Sequence, residues 1–171
     1  MNRIHIIGRK NHGKTTLICE LVDSLSKRGR RVGTIKHTHH HHELDAPGKD
    51  SHRHQKSGAA VSGICSPSMN AVFWPQSRDS AEDSHADDHK YREFAPMFEA
   101  CDLVLVEGDT LAKATKIEVW RRDVGTASLT EIDSTIQAVI TDDPLRPISC
   151  VPTWRRSDIE SIVDKLQRLL A

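Results

Sequence analysis

Arg3-Ile4-His5-Ile6-Ile7-Gly8-Arg9-Lys10-Asn11-His12-Gly13-Lys14-Thr15-Thr16-Leu17-Ile18 is the stretch whose reading decides the fold. Arg3 to Ile7 has the composition of a short buried strand, and Gly8 to Gly13 supply a turn. Leu17, Ile18, Leu21, Val22 and Leu25 then recur at the spacing of one helical face. Gly8-x-x-x-x-Gly13-Lys14-Thr15 is a phosphate-loop pattern, expected by chance in such a chain on the order of half a per cent of the time. Its setting, strand before and helix after, lets successive backbone N–H groups and the positive helix end surround a phosphate. Gly8 and Gly13 permit torsions and close approach that a side chain would block. Lys14 is placed to reach the β and γ phosphates of a nucleoside triphosphate, and Thr15 to ligate magnesium. A lysine in a helix's first turn is opposed by the helix dipole, so an anion partner explains it better than bare solvent. Arg9 and Lys10, in the loop itself, either steer the nucleotide or stabilise transition-state charge.

Working outward, Gly29 ends the helix and Arg31 to Lys36 resumes as a strand, completing a β-α-β unit. A polar, histidine-rich loop follows from His37 to about Lys49, then a short helix from Asp50 to Ser57. Ala60 to Cys65 and Asn70 to Trp74, separated by Ser66, Pro67 and Ser68, predict a β-hairpin. Residues 75–88 carry almost nothing apolar and read as a mobile surface loop. A short helix with Tyr91, Phe94 and Phe98 comes next, its regularity limited by Pro96. Leu103 to Val106 is an uninterrupted apolar strand of the kind buried on both faces of a parallel sheet. Lys116 to Arg121 alternates Ile117, Val119 and Arg121 against Lys116, Glu118 and Trp120, and Ile136 to Ile140 forms a further strand. At the C-terminus Ser157 and Glu160 predict a capping box ahead of a stripe of Ile159, Ile162, Val163, Leu166, Leu169 and Leu170. Strands alternating with helices define an α/β, three-layer P-loop NTPase fold with a mostly parallel sheet and a hairpin extension, built as a single domain over residues 1–171.

Charge and composition narrow the partners. Lys+Arg and Asp+Glu both number 24, so no net field favours nucleic acid or an anionic membrane. No apolar run approaches the ~20 residues that span a bilayer, and no signal peptide opens the chain, which points to the cytoplasm. Cys19, Cys65, Cys101 and Cys150 form no CxxC pair and sit among apolar neighbours, so each is expected to be a buried free thiol.

A second phosphate-side group should be an acid at the end of a buried strand, and Asp102-Leu103-Val104-Leu105-Val106-Glu107-Gly108 supplies it. Glu107 falls at the carboxyl edge of a parallel sheet, where α/β folds bind ligands. Lys14 and Glu107 are therefore the expected catalytic groups, with Asp109 a competitor for the role of Glu107 and Asp102 a structural residue at the opposite end of the strand. The run His37 to His42, near Glu43 and Asp45, could hold a transition metal on chemistry alone. A loop closing over nucleotide or a partner is the stronger expectation.

Three segments together carry a family resemblance. They are Gly13-Lys14-Thr15-Thr16, the stretch from Ile35 through His37-Thr38-His39-His40 and Pro47-Gly48-Lys49-Asp50-Ser51 to Gly58-Ala59-Ala60, and the strand ending Val106-Glu107-Gly108. In these the chain resembles the molybdopterin-guanine dinucleotide biosynthesis protein B (MobB) family of P-loop GTP-binding proteins. The resemblance implies a homodimeric GTP-binding accessory protein that hydrolyses GTP slowly. Its partner would be a MobA-like molybdopterin nucleotidyltransferase, which joins GMP to molybdopterin. It also implies nucleotide contacts from Gly13, Lys14, Thr15 and Thr16 within the wider loop Gly8, Arg9, Lys10, Asn11 and His12. Asp50 and Glu107, with Thr15, would lie near Mg2+, and Asp142 beside the base. A carboxylate at Asp142 could accept from guanine N1–H and N2–H together, a donor pair adenine lacks; alternatively Asp142 and Asp143 simply make the turn before Pro144. After Val-Glu-Gly the family usually continues with an aromatic residue and a lysine, where this chain has Asp109-Thr110.

Two other functions fit the phosphate loop. In a small-molecule kinase, Arg121-Arg122 or Arg155-Arg156 would clamp the transferred phosphoryl group. In a metallochaperone GTPase, His37 to His42 would hand over a metal.

Overall fold

A computed structural model of the chain describes residues 1–38, 44–74, 89–144 and 151–169. The strands in chain order are β1 (Arg3–Ile7), β2 (Val32–Lys36), β3 (Ser62–Cys65), β4 (Asn70–Phe73), β5 (Leu103–Glu107), β6 (Lys116–Val119), β7 (Ile136–Ile140) and β8 (Thr153–Trp154). The α-helices are α1 (Lys14–Lys27), α2 (Asp50–Lys56), α3 (His89–Arg92) and α4 (Ile159–Leu169). By its contacts the chain divides into two compact units, Met1–Thr38 with Asp87–Ala171, and His39–Ala86.

In the first unit six strands form one sheet in the order β2-β5-β1-β6-β7-β8, with every pairing parallel. Parallel pairing brings the ends of all six strands to one edge, so the phosphate loop after β1 shares that edge with Lys36, Glu107, Arg121 and Asp142. Alternation along the strands sorts two cores. Ile4, Ile6, Leu103, Leu105, Ile117, Val119, Ala138 and Ile140 pack with Leu17, Leu21 and Leu25 of α1 and Ile162, Val163 and Leu166 of α4. On the opposite face Val104 and Val106 meet Tyr91, Ile35 and Phe98. Ile7 and Ile136 meet Leu129 of a 3-10 turn there. The layers are thus α1 and α4, the sheet, and a thin cover of short helical turns, which is the expected α/β P-loop NTPase fold.

That thin cover explains an unexpected pattern on β6, whose polar side is buried as well. Glu118 is 1% exposed and accepts the Leu129 N–H at 2.8 Å and the Ser128 hydroxyl at 2.5 Å. Burial raises the pKa of Glu118 against the pull of those bonds. Lys116, 5% exposed, donates to Asp133 Oδ2 at 2.6 Å and to the Thr110 carbonyl at 3.1 Å. Burial of Asp133 pushes its carboxyl up, but bonds from Lys116 and Thr135 outweigh this and the net shift is down. A depressed carboxyl pKa contributes stability that is present above the unfolded value of ~3.9 and lost as pH falls through the folded value. Asp133→Asn, which strands the buried Lys116 ammonium, should lower stability by about 2–4 kcal/mol at pH 7, with a smaller difference from wild type below pH ~4. Urea denaturation at the two pH values checks both.

Two helix readings change in detail. The capping box at Ser157 does not form, because Asp158 caps α4 instead, its Oδ1 accepting the Ser161 N–H at 3.1 Å and its carbonyl the Ile162 N–H at 3.1 Å. Glu160 turns away to accept from Ser24 Oγ at 2.7 Å and from Arg28, tying α4 to α1. The helix expected around Tyr91 is one short turn, α3, followed by a 3-10 turn at Ala95–Phe98 that contains Pro96.

In the second unit α2 begins at Asp50, as expected, and ends before Gly58, whose φ is +101°. β3 and β4 pair antiparallel as the predicted hairpin, with Ser62 opposite Phe73 and Cys65 opposite Asn70. Ser62 Oγ donates to the Ser51 carbonyl at 3.2 Å, and Gln55 Nε2 to Asp45 Oδ2 at 2.9 Å. The loop assigned to residues 75–88, the histidines 39–42 and Cys150 lie outside the described residues.

The thiols differ from expectation. Cys19 and Cys65 are exposed and Cys101 is partly so. Cys19 sits one turn after Thr15, beside rather than on the Leu17–Leu21 stripe, and Cys65 ends a two-stranded hairpin. Apolar sequence neighbours therefore did not carry these two side chains inward.

Candidate functional site

Three residues with positive φ shape the loop between β1 and α1: Gly8 at +141°, Asn11 at +69° and Gly13 at +88°. Gly8 passes so close to β6 that a Cβ there would lie 2.5 Å from the Val119 carbonyl oxygen. Gly13 is the N-cap of α1, and its carbonyl accepts the first helical bond, from the Leu17 N–H, at 3.0 Å. No acid lies in the first turn of α1 to neutralise its positive end. The loop therefore presents backbone N–H groups at an uncapped helix start, a geometry suited to an anion.

Lys14 reaches across this loop, its Nζ donating to the Arg9 carbonyl at 2.7 Å. Burial lowers its pKa, Glu107 opposes this, and Lys36 adds to it, for a net downward shift. Thr15 Oγ1 donates to Glu107 Oε1 at 2.8 Å, and Lys36 Nζ stands 3.8 Å from the same oxygen. The sheet thus brings together two segments 92 residues apart that the sequence had singled out separately. One hydroxyl and one carboxylate side by side make an oxygen donor set of the kind that holds Mg2+ when substrate phosphates and water complete its shell. Beside them runs a groove of about 450 Å³ between α1 and β2, polar at Thr15, Lys36 and Glu107, apolar at Ile18, Val22 and Leu105.

Asp109 does not share the position of Glu107. It is buried with φ +63°, and its Oδ2 accepts from Tyr91 Oη at 2.7 Å and lies 2.7 Å from Lys90 Nζ. Burial pushes its carboxyl up, but those two bonds and the Lys90 and His37 charges outweigh this and hold it down. Tyr91 in turn meets His5 edge-on at 5.2 Å, and Arg3 stands over its ring at 4.6 Å. Asp102 is structural as expected, its carboxylate accepting the Arg31 N–H at 2.7 Å at the start of β5.

At the far end of the same edge Asp142 follows β7. Its Oδ1 accepts both the N–H and the hydroxyl of Ser157 at 3.0 Å, and the Ser157 backbone bond is the main cause of its lowered pKa. Asp143 accepts the Arg122 N–H at 2.8 Å, so the two neighbouring carboxylates fasten different segments. The arginines considered as a phosphoryl clamp are largely engaged: Arg121 with Asp123 at 2.6 Å, Arg122 with the Pro144 carbonyl, and Arg156 with Glu20 at 2.6 Å. Asp50 lies in the second unit, exposed at the start of α2 and 3.9 Å from Arg53. His37 follows β2, its N–H donating to the Glu107 carbonyl at 2.9 Å. Among the described residues no group of three or more His, Cys, Asp or Glu side chains could hold a metal ion. Also among them, no helix is long and apolar enough to cross a membrane.

His12, expected among the nucleotide contacts, instead has a side chain that is 1% exposed and bonded to other protein groups. Its Nδ1 accepts the Arg121 N–H at 2.8 Å and its Nε2 meets Thr126 Oγ1 at 2.8 Å. Both partners lie more than a hundred residues away, and no local pattern signals them.

Sheet order and phosphate loop place the chain in the class of P-loop NTPase folds. The family described as Molybdopterin guanine dinucleotide synthesis protein B (MobB) matches residues 3–142. The molybdopterin-guanine dinucleotide biosynthesis adapter protein of Escherichia coli is 35% identical over 153 residues, covering 89% of this chain and 83% of that protein. The protein of the same name from Haemophilus influenzae is 34% identical over 142 residues, covering 82% of this chain and 74% of that one. A crystal structure of molybdopterin-guanine biosynthesis protein B superposes with a TM-score of 0.71 at 27% identity over 98% of both chains. The chain belongs to the MobB family.

Proposed function

We propose that this protein is a GTP-binding accessory factor in molybdopterin guanine dinucleotide biosynthesis, acting beside a MobA-like nucleotidyltransferase that joins GMP to molybdopterin. Membership of the MobB family and the names of its relatives support the process. The observation that carries the nucleotide part is the Thr15–Glu107 contact at the open edge of the phosphate loop. In this reading the backbone of Gly8 to Gly13 and the amides of Lys14, Thr15 and Thr16 take the phosphates. Lys14 leaves the Arg9 carbonyl for phosphate oxygens. Thr15 and Glu107 would hold Mg2+, which would supply positive charge against that of the phosphates. Hydrolysis is slow, because Arg121, Arg122 and Arg156 are tied to the protein itself. A homodimer and cytoplasmic residence belong to the same reading. The test is titration of the protein with GTP and Mg2+, followed by assay of the nucleotidyltransferase with and without it. Micromolar GTP binding and a higher yield of guanylated molybdopterin are expected. No GTP binding and no effect on yield would overturn it.

Base selection falls to Asp142 in this proposal. Its Oδ1 already holds Ser157, so a guanine edge would share that oxygen as well as using Oδ2. Asp142→Ala should reduce the GTP over ATP preference by roughly 10-fold or more, the scale of an unpaired hydrogen-bonding edge. Competition between the two nucleotides checks this, and an unchanged preference would leave Asp142 as the anchor of Ser157 alone.

A further inference from the structure

His12 occupies the phosphate loop but turns its ring into the protein. Acceptance of the Arg121 N–H at Nδ1 requires that nitrogen to be unprotonated, so the ring proton sits on Nε2 and is donated to Thr126 Oγ1. Burial first, then the Lys14, Arg121 and Arg9 charges, lower its pKa, with Asp123 opposing, so the neutral ring persists. Thr126 is itself fixed, its carbonyl accepting Trp120 Nε1–H at 2.9 Å. Next to His12 stands Asn11 in the left-handed region, which asparagine adopts more readily than most residues with a side chain.

We infer that His12 is a positioning residue, a neutral clamp that fixes the phosphate loop to the segment after β6 by giving the Arg121 N–H its acceptor. The inference rests on the reading of this loop as a triphosphate site. Through the clamp, the curvature that aims the loop's N–H groups depends on a bond from the His12 ring to a backbone N–H 109 residues away. The consequence is reciprocal. Whatever holds the phosphates steadies the segment from Arg121 to Thr126, and displacement of that segment loosens the phosphates.

Three variants separate clamp from filler. His12→Phe keeps a ring of similar volume without either bond. His12→Asn places a carbonyl oxygen where Nδ1 stands, and His12→Gln places its amide nearer Nε2. GTP affinity in the presence of Mg2+ should fall roughly 10-fold in His12→Phe and His12→Gln, and return most of the way in His12→Asn, the scale of one buried N–H left unpaired. Hydrogen exchange at the Arg121 amide should rise in the first two variants and stay slow in the third. Wild-type affinity together with wild-type Arg121 exchange in His12→Gln would overturn the clamp, and so would equal losses in His12→Asn and His12→Gln. If wild-type protein binds no GTP, the nucleotide reading fails, and the Arg121 exchange rates still decide whether the clamp exists.

Discussion

Lys14→Ala should weaken triphosphate binding by at least about 100-fold while leaving the melting temperature within about 2 °C of wild type. The two halves of that result have separate causes. In the folded protein Lys14 makes one exposed bond, to the Arg9 carbonyl, and a solvent-facing bond of this kind contributes little to stability. Toward a polyphosphate the same ammonium would make charge-assisted bonds to more than one oxygen, beside the neutral backbone amides of the loop. Isothermal titration with GTP and Mg2+ measures the first half and calorimetric melting the second. Unchanged affinity would remove the phosphate loop from the function altogether. A large fall in melting temperature would instead mean that Lys14 supports the loop itself.

The second large effect is expected at Gly8. An alanine there would set its methyl group 2.5 Å from the Val119 carbonyl oxygen, which is backbone of the adjoining strand and cannot swing aside. The residue would also have to hold φ near +141°. Strain of ~1–3 kcal/mol and an overpacking cost of similar size together predict a loss of about 3 kcal/mol or more. For a chain of this size that is a fall of roughly 10 °C in melting temperature. The damage should centre on the β1–β6 pairing, so amide exchange should accelerate first at Ile7 and Val119. Wild-type melting of Gly8→Ala would mean that β6 can move away freely, and the rigid seating of the loop would then have to be abandoned.

Features written in neighbouring residues were legible in the sequence. The stripe on α1, the left-handed stop at Gly29, the strands at residues 3–7 and 136–140 and the hairpin all depend on local spacing, and all are present. Glu107 was legible for a related reason: an acid after four apolar residues must emerge at the edge of the sheet. Contacts joining distant segments were not legible. Nothing near Glu118 announces that Ser128 and Leu129 will return to satisfy it, and nothing near Ser157 announces Asp142. The capping box illustrates the competition directly. Ser157 and Glu160 have the right spacing, but Asp142 offers Ser157 a carboxylate, Ser24 and Arg28 recruit Glu160, and Asp158 takes the cap. Asp109 and Thr110 stand where the resemblance implies an aromatic residue and a lysine, and in this chain Tyr91 and Lys90 reach Asp109 from another element.

The bond from Lys14 to the Arg9 carbonyl has a bearing on which anions this loop can tell apart. On the proposed reading, a lone inorganic phosphate would draw the ammonium from the Arg9 carbonyl and make fewer bonds in return than a triphosphate would. A chain of phosphates loses the same single bond but returns several, from the ammonium and from the amides behind it. On that reading, a nucleoside triphosphate would therefore gain more from this loop than free phosphate would.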